Sequence, residues 1–202
     1  QGPRRARSDK PCQGRAPQSP APPAVVMSDL HVVILAAGKG TRMKSARPKV
    51  LPQVAGPPML AFVLGAAQSL SPKSTTLVVG HMKERRRQGL AAYQDLSFVT
   101  QEPQLGTGHA LLQTAGILER QSGLVLLLSG DVPLLRRHTL ADLVEKHRES
   151  QAAATVLSAL VERPYGYGRI VRVRGKISRI VEERDASPAQ RKLREINSGV
   201  YV

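Results

Sequence analysis

From residue 31 onward, short apolar runs alternate with stretches in which apolar positions recur every three or four residues. "HVVILAA" predicts a first buried strand. In "PPMLAFVLGAAQSL" the residues Leu60, Val63, Leu64 and Ala67 share one helical face, and "TTLVVG" predicts a second strand. A basic helical segment follows in "KERRRQGLAAY", where Arg85, Arg86 and Arg87 form an exposed face. Next come the strand "LSFVTQ", the glycine turn "QLGTG", one helix over "HALLQTAGIL", the strand "LVLLLSGD" and helical periodicity in "HTLADLVEKHRES". Beyond that point the pattern is strand-rich, through "AATVLSALV", "GRIVRVRG", "KISRIVEE" and "EINSGVYV". A run of βα units predicts an α/β fold: a doubly wound, mostly parallel, Rossmann-like sheet whose ligands sit beyond the carboxyl ends of its strands, at a topological switch point. No internal repeat is evident.

The first thirty residues break this pattern. They are rich in Pro, Arg and small polar side chains and have too few apolar positions for a core, which predicts a disordered basic tail over residues 1–30 and one domain over 31–202. Only the short "AVVM" stands where a secretory leader needs an apolar segment, so a signal peptide is not expected, and Met27 is a candidate natural start. At 202 residues and 41% hydrophobic content the chain has the size of one ordinary domain. Thirty Lys and Arg against 15 Asp and Glu give a formal net charge of +15, which attracts phosphate-rich partners, either nucleic acid or small nucleotides. With 3% aromatic residues, no Trp and no recognition module, nucleic-acid binding is the weaker alternative. The single cysteine, Cys12, excludes a disulfide framework and a cysteine-built zinc site, and fits a reducing compartment. The longest apolar runs, "VVILAA" and "LVLLL", fall far short of the ~20 residues that cross a bilayer, so the chain reads as soluble.

Directly behind the first strand lies "LAAGKGTRMKSARPKVL", residues 35–51, with two glycines and five basic residues. Glycines at a strand's carboxyl end let backbone N–H groups approach phosphate oxygens. This is not the dinucleotide fingerprint, because Met43 stands where a third glycine belongs after Gly38 and Gly40, and it is not a P-loop. Arg42, Lys44, Arg47 and Lys49 supply more charge than a diphosphate bridge requires, which suits a triphosphate whose leaving pyrophosphate must be neutralised; the plain alternative is a glycine turn with solvated basic residues. Asp131 ends the strand of "LSGDVPLL" at the same sheet edge, either as a carboxylate that recruits Mg²⁺ together with substrate phosphates or as a cap of the following turn. Gln101 and the turn Gly106, Thr107, Gly108 leave the third strand at that edge, as a base-reading group or as an ordinary turn capped by Thr107. His109, with no second ligand near it in sequence, reads as a first-turn helix residue rather than a metal ligand. Gly166 and Gly168 beside Tyr165 and Tyr167 mark a hairpin turn or a close approach to a sugar. Glu182, Glu183, Asp185 and Asn197 are either sugar-hydroxyl acceptors or solvated and structural polar groups. No serine nucleophile or histidine base is arranged along the chain.

Six motifs, "LAAGKGTRMKSARPKVL", "QLGTGHAL", "SGDVPLL", "GYGRIVR", "IVEERDA" and "EINSGVYV", occur in an order and spacing that resembles the N-terminal domain of bacterial N-acetylglucosamine-1-phosphate uridylyltransferases, over residues 32–202. The first motif alone marks the wider sugar-nucleotide pyrophosphorylase superfamily, so another base or sugar is the alternative substrate. The resemblance implies the nucleotide-diphospho-sugar transferase fold, Mg²⁺ as cofactor, a cytoplasmic location, and transfer of UMP from UTP to N-acetylglucosamine 1-phosphate for peptidoglycan and lipopolysaccharide precursors. It implies that Leu35, Ala36, Ala37 and Gly38 line the nucleotide, that Arg42 and Lys49 act on the phosphates, and that Gln101, Gly106 and Thr107 read the uracil. Asp131 would hold the metal with Ser129 and Gly130 beside the nucleotide, while Gly168, Glu182 and Asn197 would contact the sugar. Members of that family continue into a β-helical, trimer-forming acetyltransferase domain that uses acetyl-CoA and glucosamine 1-phosphate. The chain therefore reads as C-terminally truncated, its sheet incomplete at that end.

If Arg42 and Lys49 are preorganised against charge that develops on the phosphates, replacing either by Ala lowers kcat/KM for uridylyl transfer by roughly 10²-fold or more. An unchanged rate in a folded variant would remove that role.

Overall fold

The computed structural model of the chain describes residues 29–38, 57–80 and 95–202. Residues 1–28 of the expected basic tail, Arg42 and Lys49 with the rest of residues 39–56, and the basic segment around Arg85 to Arg87 lie outside the described residues; Leu30, expected in the tail, is instead the buried first residue of the first strand. The described elements are β1 (Leu30–Leu35), α1 (Met59–Gln68), β2 (Ser74–Val79), β3 (Leu96–Thr100), α2 (Thr107–Leu112), α3 (Ala115–Leu118), β4 (Leu124–Ser129), α4 (Arg137–Ser150), β5 (Val156–Leu160), β6 (Arg169–Val173), β7 (Lys176–Val181), α5 (Pro188–Arg191) and β8 (Glu195–Tyr201).

The strands form one mixed sheet in the order β3-β2-β1-β4-β8-β6-β7, with β5 also pairing β8. The first four run parallel: β1 pairs β2 from His31↔Ser74 to Leu35↔Val78 and pairs β4 from Leu30↔Leu124 to Leu35↔Ser129. Alternate residues of β1 serve opposite faces. Leu30, Val32 and Ile34 pack with Leu60, Val63 and Leu64 of α1 and with Leu140, Leu143 and Val144 of α4, whereas Val33 packs with Ala110 of α2, Val78 and Leu127. Helices cover both faces, which is why these strands read as continuous apolar runs rather than as an alternation. The expected α/β, doubly wound sheet is thus borne out, and the face expected for α1 is the buried one. The chain leaves β1 toward β2 on one side and reaches β4 on the other, so the switch point lies where the carboxyl ends of β1 and β4 meet.

The strand-rich remainder is antiparallel. β4 meets β8 at Leu127↔Tyr201, β8 pairs β5, and β6 and β7 form a hairpin closed by Arg174 and Gly175, both at positive φ as a two-residue turn of this hand requires. One expectation needs correction: the single helix over "HALLQTAGIL" is two short helices. The Thr114 hydroxyl and amide both bond to Leu111 O, at 2.6 and 2.9 Å, which tightens the turn and ends α2.

Leu126 is fully buried between the helical layers, so Leu126→Ala costs about 2–5 kcal/mol by leaving a cavity, while Leu160→Ala, at a side chain 79% exposed, stays within about 0.5 kcal/mol; urea midpoints check both. A second expectation concerns acid. Hydrogen bonds from Arg172, at 2.7 Å through both Nε and Nη2, hold the Glu195 carboxyl at about 2 against burial, with Ser158 assisting. A depressed carboxyl pKa adds stability that is complete above the ordinary carboxylate value and is lost as pH falls through the folded-state value. The stability advantage of the parent over Glu195→Gln therefore shrinks between pH of about 5 and 2. An advantage that stays constant across that window would show that the carboxyl titrates normally.

Candidate active site

Backbone hydrogen bonds lace the carboxyl ends of the parallel strands together. Ala36 N donates to Val78 O at 2.8 Å, Gln101 N to Val79 O at 2.8 Å, and Gly130 N to Leu35 O at 2.9 Å. At this edge a cavity of about 330 Å³ is lined by Leu35, Ala37 and Gly38 from behind β1, Gln101, Gly106 and Thr107 from behind β3, and Ser129 and Asp131 from β4. Eight of the residues singled out in the sequence therefore meet in one place. Two others take supporting positions: the Ala36 side chain is in the core, and Gly130 supplies the amide that ties β4 to β1.

Each polar group in this cavity has a local cause for its position. Gln101 is buried, and its Nε2 donates to Gly106 O at 2.9 Å and lies 3.2 Å from His109 Nδ1. His109 sits inside α2, as expected, and its Nε2 lies 3.2 Å from Gln113 Nε2. Gly106, at φ +106, is the N-cap of α2, so Thr107 is the first helical residue and makes no side-chain cap bond; the cap reading of Thr107 falls. The Ser129 hydroxyl donates to Asp131 Oδ1. The helix after Asp131 starts at Arg137 with Arg136 as its N-cap, so Asp131 does not cap it. Among the described residues no group of three or more His, Cys, Asp or Glu is placed to hold a metal. Asp131 is thus a single carboxylate at the rim of a cavity, a donor set that fits a hard cation only if the ligand brings further oxygens.

A larger cavity of about 1180 Å³ adjoins the first and shares Gly106 and Thr107 with it. Its other walls are Tyr165, Gly166 and Tyr167 from the turn before β6, and Glu182, Glu183, Arg184 and Arg191 from the segments after β7. Gly166 is at φ +84 and makes the turn. Gly168 provides a close approach instead: a Cβ there would lie 3.2 Å from Glu182 Oε1 and from Ile180 Cγ2. Gly168 O also accepts from Asn197 N at 2.9 Å. Gly168, Glu182 and Asn197 are therefore neighbours, although only Glu182 lines the cavity. Asn197 Oδ1 accepts from Gly199 N at 3.0 Å, and burial, opposed by a hydrogen bond with Asn197, pushes the Tyr201 phenol up.

Of the lining residues not singled out in the sequence, Gln104 and Gly199 have a clear local cause. Gln104 packs against Gly80, where a Cβ would come 2.5 Å from its Nε2, so the missing side chain at position 80 makes the room. Gly199 enters from β8 at φ +78, four residues of spacing after Glu195, within a register shift of β5 against β8 between Leu157 and Ser158. The signal for it was a glycine inside a strand pattern, which marks a bulge or a close approach.

Residues 32–196 match the MobA-like NTP transferase domain. The chain is 48% identical over 176 residues to the bifunctional protein GlmU of Geobacter metallireducens, covering 87% of this chain and 37% of that protein. It is 51% identical over 174 residues to its counterpart in Syntrophotalea carbinolica, covering 86% and 37%. The counterpart in Synechococcus sp. strain CC9311 is 48% identical over 173 residues, covering 85% and 38%. The chain thus spans little more than a third of the length of these curated relatives, and the resemblance read from the six motifs is borne out. In fold it is similar to a crystal structure assigned as a glucose-1-phosphate thymidylyltransferase from Bacillus anthracis, with a TM-score of 0.67 at 20% identity, over 85% of this chain and 70% of that one. With more than half of its length matched by the family, the chain belongs to the MobA-like NTP transferase domains.

Proposed function

We propose that the chain transfers UMP from UTP to N-acetylglucosamine 1-phosphate, releasing pyrophosphate. The observation that carries this reading is the pair of adjoining cavities at the switch point, which share Gly106 and Thr107 and gather the motif residues on both sides. The smaller cavity has the dimensions and lining for a nucleoside: apolar and glycine walls with the Gln101 amide fixed by two partners. Gln101, Gly106 and Thr107 read the uracil, and Leu35 to Gly38 back the nucleotide. Glu182 accepts sugar hydroxyl hydrogen bonds in the larger cavity, with Gly168 and Asn197 behind it. Arg42 and Lys49 act on the phosphates, a role that rests on sequence.

A phosphate oxygen of the sugar 1-phosphate attacks the α-phosphorus of UTP. The new P–O bond forms as the bond to the β-phosphate oxygen breaks in line, and the electron pair leaves with pyrophosphate. A phosphate monoester is already a competent nucleophile, so the protein's work is positioning and charge neutralisation rather than proton removal. Asp131, oriented by the Ser129 hydroxyl, would hold Mg²⁺ jointly with the phosphates, where the cation supplies charge neutralisation. The reading extends to a cytoplasmic role in cell-wall precursor synthesis and, for a chain that continues as the bifunctional relatives do, to acetyl transfer onto glucosamine 1-phosphate and to trimers. Among the described residues no helix is long and apolar enough to cross a membrane.

Pyrophosphate release measured with four nucleoside triphosphates and several sugar 1-phosphates tests the assignment. UTP with N-acetylglucosamine 1-phosphate should give the highest kcat/KM, and a clear preference for another pair would overturn it. Asp131→Asn keeps size and a hydrogen-bonding oxygen but removes the anion, so it raises the Mg²⁺ concentration needed for half-maximal rate and lowers turnover with the fold intact. The same Mg²⁺ dependence in parent and variant would separate Asp131 from the metal.

A further inference from the structure

Arg169, the first residue of β6, is 1% exposed. It pairs with Val181 of β7 and Ile196 of β8, in the middle of the antiparallel half of the sheet. Its Nη2 donates to Glu183 Oε2 at 2.7 Å and to Arg191 O at 3.4 Å, and its Nη1 donates to Tyr167 O. Its Nε is buried with no hydrogen-bond partner. Glu183 Oε2 also accepts from Gly166 N at 3.0 Å. One ion pair therefore ties three separate pieces of backbone to each other: the turn carrying Gly166 and Tyr167, the segment after β7, and the end of α5.

Burying a guanidinium is costly, and an apolar residue of similar volume often serves stability as well or better. The orphaned Nε adds to that cost. What the pair gives in return is geometry, since the backbone groups it grips belong to residues that wall the larger cavity. No residue lining only the smaller cavity takes part. The hydrogen bond from Arg169, with the Gly166 amide assisting, holds the Glu183 carboxyl below the usual range, so the carboxylate stays charged at neutral pH.

We infer that Arg169 and Glu183 are positioning residues for the acceptor, a buried ion pair that holds the wall on which the sugar 1-phosphate docks while leaving the nucleotide side untouched. This rests on the reading above that the larger cavity is the acceptor side. Arg169, 1% exposed, and Glu183, engaged by the Gly166 amide, act through the backbone of Gly166 and Tyr167, which they set beside Glu182. A rigid wall lowers the ordering cost of binding, and small misplacements of it weaken productive binding steeply.

Glu183→Gln keeps the side-chain length and an accepting oxygen but removes the charge, Glu183→Asp restores the charge on a shorter arm, and Arg169→Lys keeps charge without the two-pronged donor. For each, KM for UTP, KM for N-acetylglucosamine 1-phosphate and kcat are measured, together with amide exchange at Gly166 and Tyr167 and, as a control for folding, at Leu126 to Leu128. The expected result for Glu183→Gln and Arg169→Lys is an acceptor KM raised roughly tenfold or more, a UTP KM within about twofold of the parent, and faster exchange at Gly166 with the control amides unchanged. Glu183→Asp recovers part of the acceptor KM. An unchanged acceptor KM, equal rises in both KM values, or unchanged exchange at Gly166 would each overturn the inference. If the parent transfers uridylyl to no sugar phosphate, the functional reading fails by itself, and exchange at Gly166 still decides whether the pair holds the wall.

Discussion

β1 is paired on both edges and buried on both faces. Its in-register parallel ladders with β2 and β4 fix where those strands end, because Leu35 lies opposite Val78 on one side and Ser129 on the other. Parallel ladders cannot slip by one residue without turning an entire apolar set away from its helix. Here Val32 and Ile34 must face α1 and α4, and Val33 must face α2, so the packing locks the register. The backbone bonds from Ala36 and Gly130 then follow, and the residues after each strand are delivered to one edge. The smaller cavity is in this sense a product of core packing rather than of loop conformation.

The parallel half was legible because a strand buried on both faces leaves a strong signature, and the rule for ligands at strand ends then points to particular residues. Leu35, Gly38, Gln101 and Asp131 could be placed on one edge from that rule alone, and they line one cavity. The antiparallel half was legible as strands but not as contacts. In "GRIVRVRG" nothing marks Arg169 as buried rather than solvated like Arg172. Its burial depends on Glu183, fourteen residues away across a hairpin, and on a turn whose carbonyl faces inward. Gln104 escaped notice for a related reason: its place depends on the missing side chain of Gly80, from a different strand end. Periodicity reports which face a residue takes; it does not report which distant group fills the space opposite.

The two halves meet at β8. Its contact with β4 is a single registered pair, Leu127↔Tyr201, while Ser198 Oγ donates to Leu157 O at 2.6 Å within the register shift against β5. A shift of this kind bends the strand and re-aims its side chains. It brings Gly199 to the smaller cavity, near Ser129, while Asn197 remains bonded to the backbone of Gly168 beside the larger one. One strand thus contributes to the setting of both cavities, which couples the carboxyl edge of the parallel strands to the antiparallel wall through covalent chain.

Charge decides what the smaller cavity lacks. Among its described lining residues, from Leu35 to Gly199, the one ionisable side chain is Asp131, an anion. A triphosphate carries several negative charges, and placing it beside a carboxylate in a partly enclosed site is strongly unfavourable without compensation. Backbone amides and the Gln101 amide offset only part of that cost. The remainder must come from cations that reach the site from elsewhere in the chain or arrive with the ligand. The sequence directly after Gly38 carries Lys39, Arg42, Lys44, Arg47 and Lys49, a density of positive charge that the sheet edge itself does not provide. A divalent cation shared between Asp131 and the phosphates would turn the carboxylate from a repulsive neighbour into a ligand. On the proposed function, the aspartate, the basic residues after Gly38 and a metal would not be three independent aids to binding. Each would become favourable only in the presence of the others and of the triphosphate, which would make triphosphate binding and assembly of the reactive charge arrangement one event.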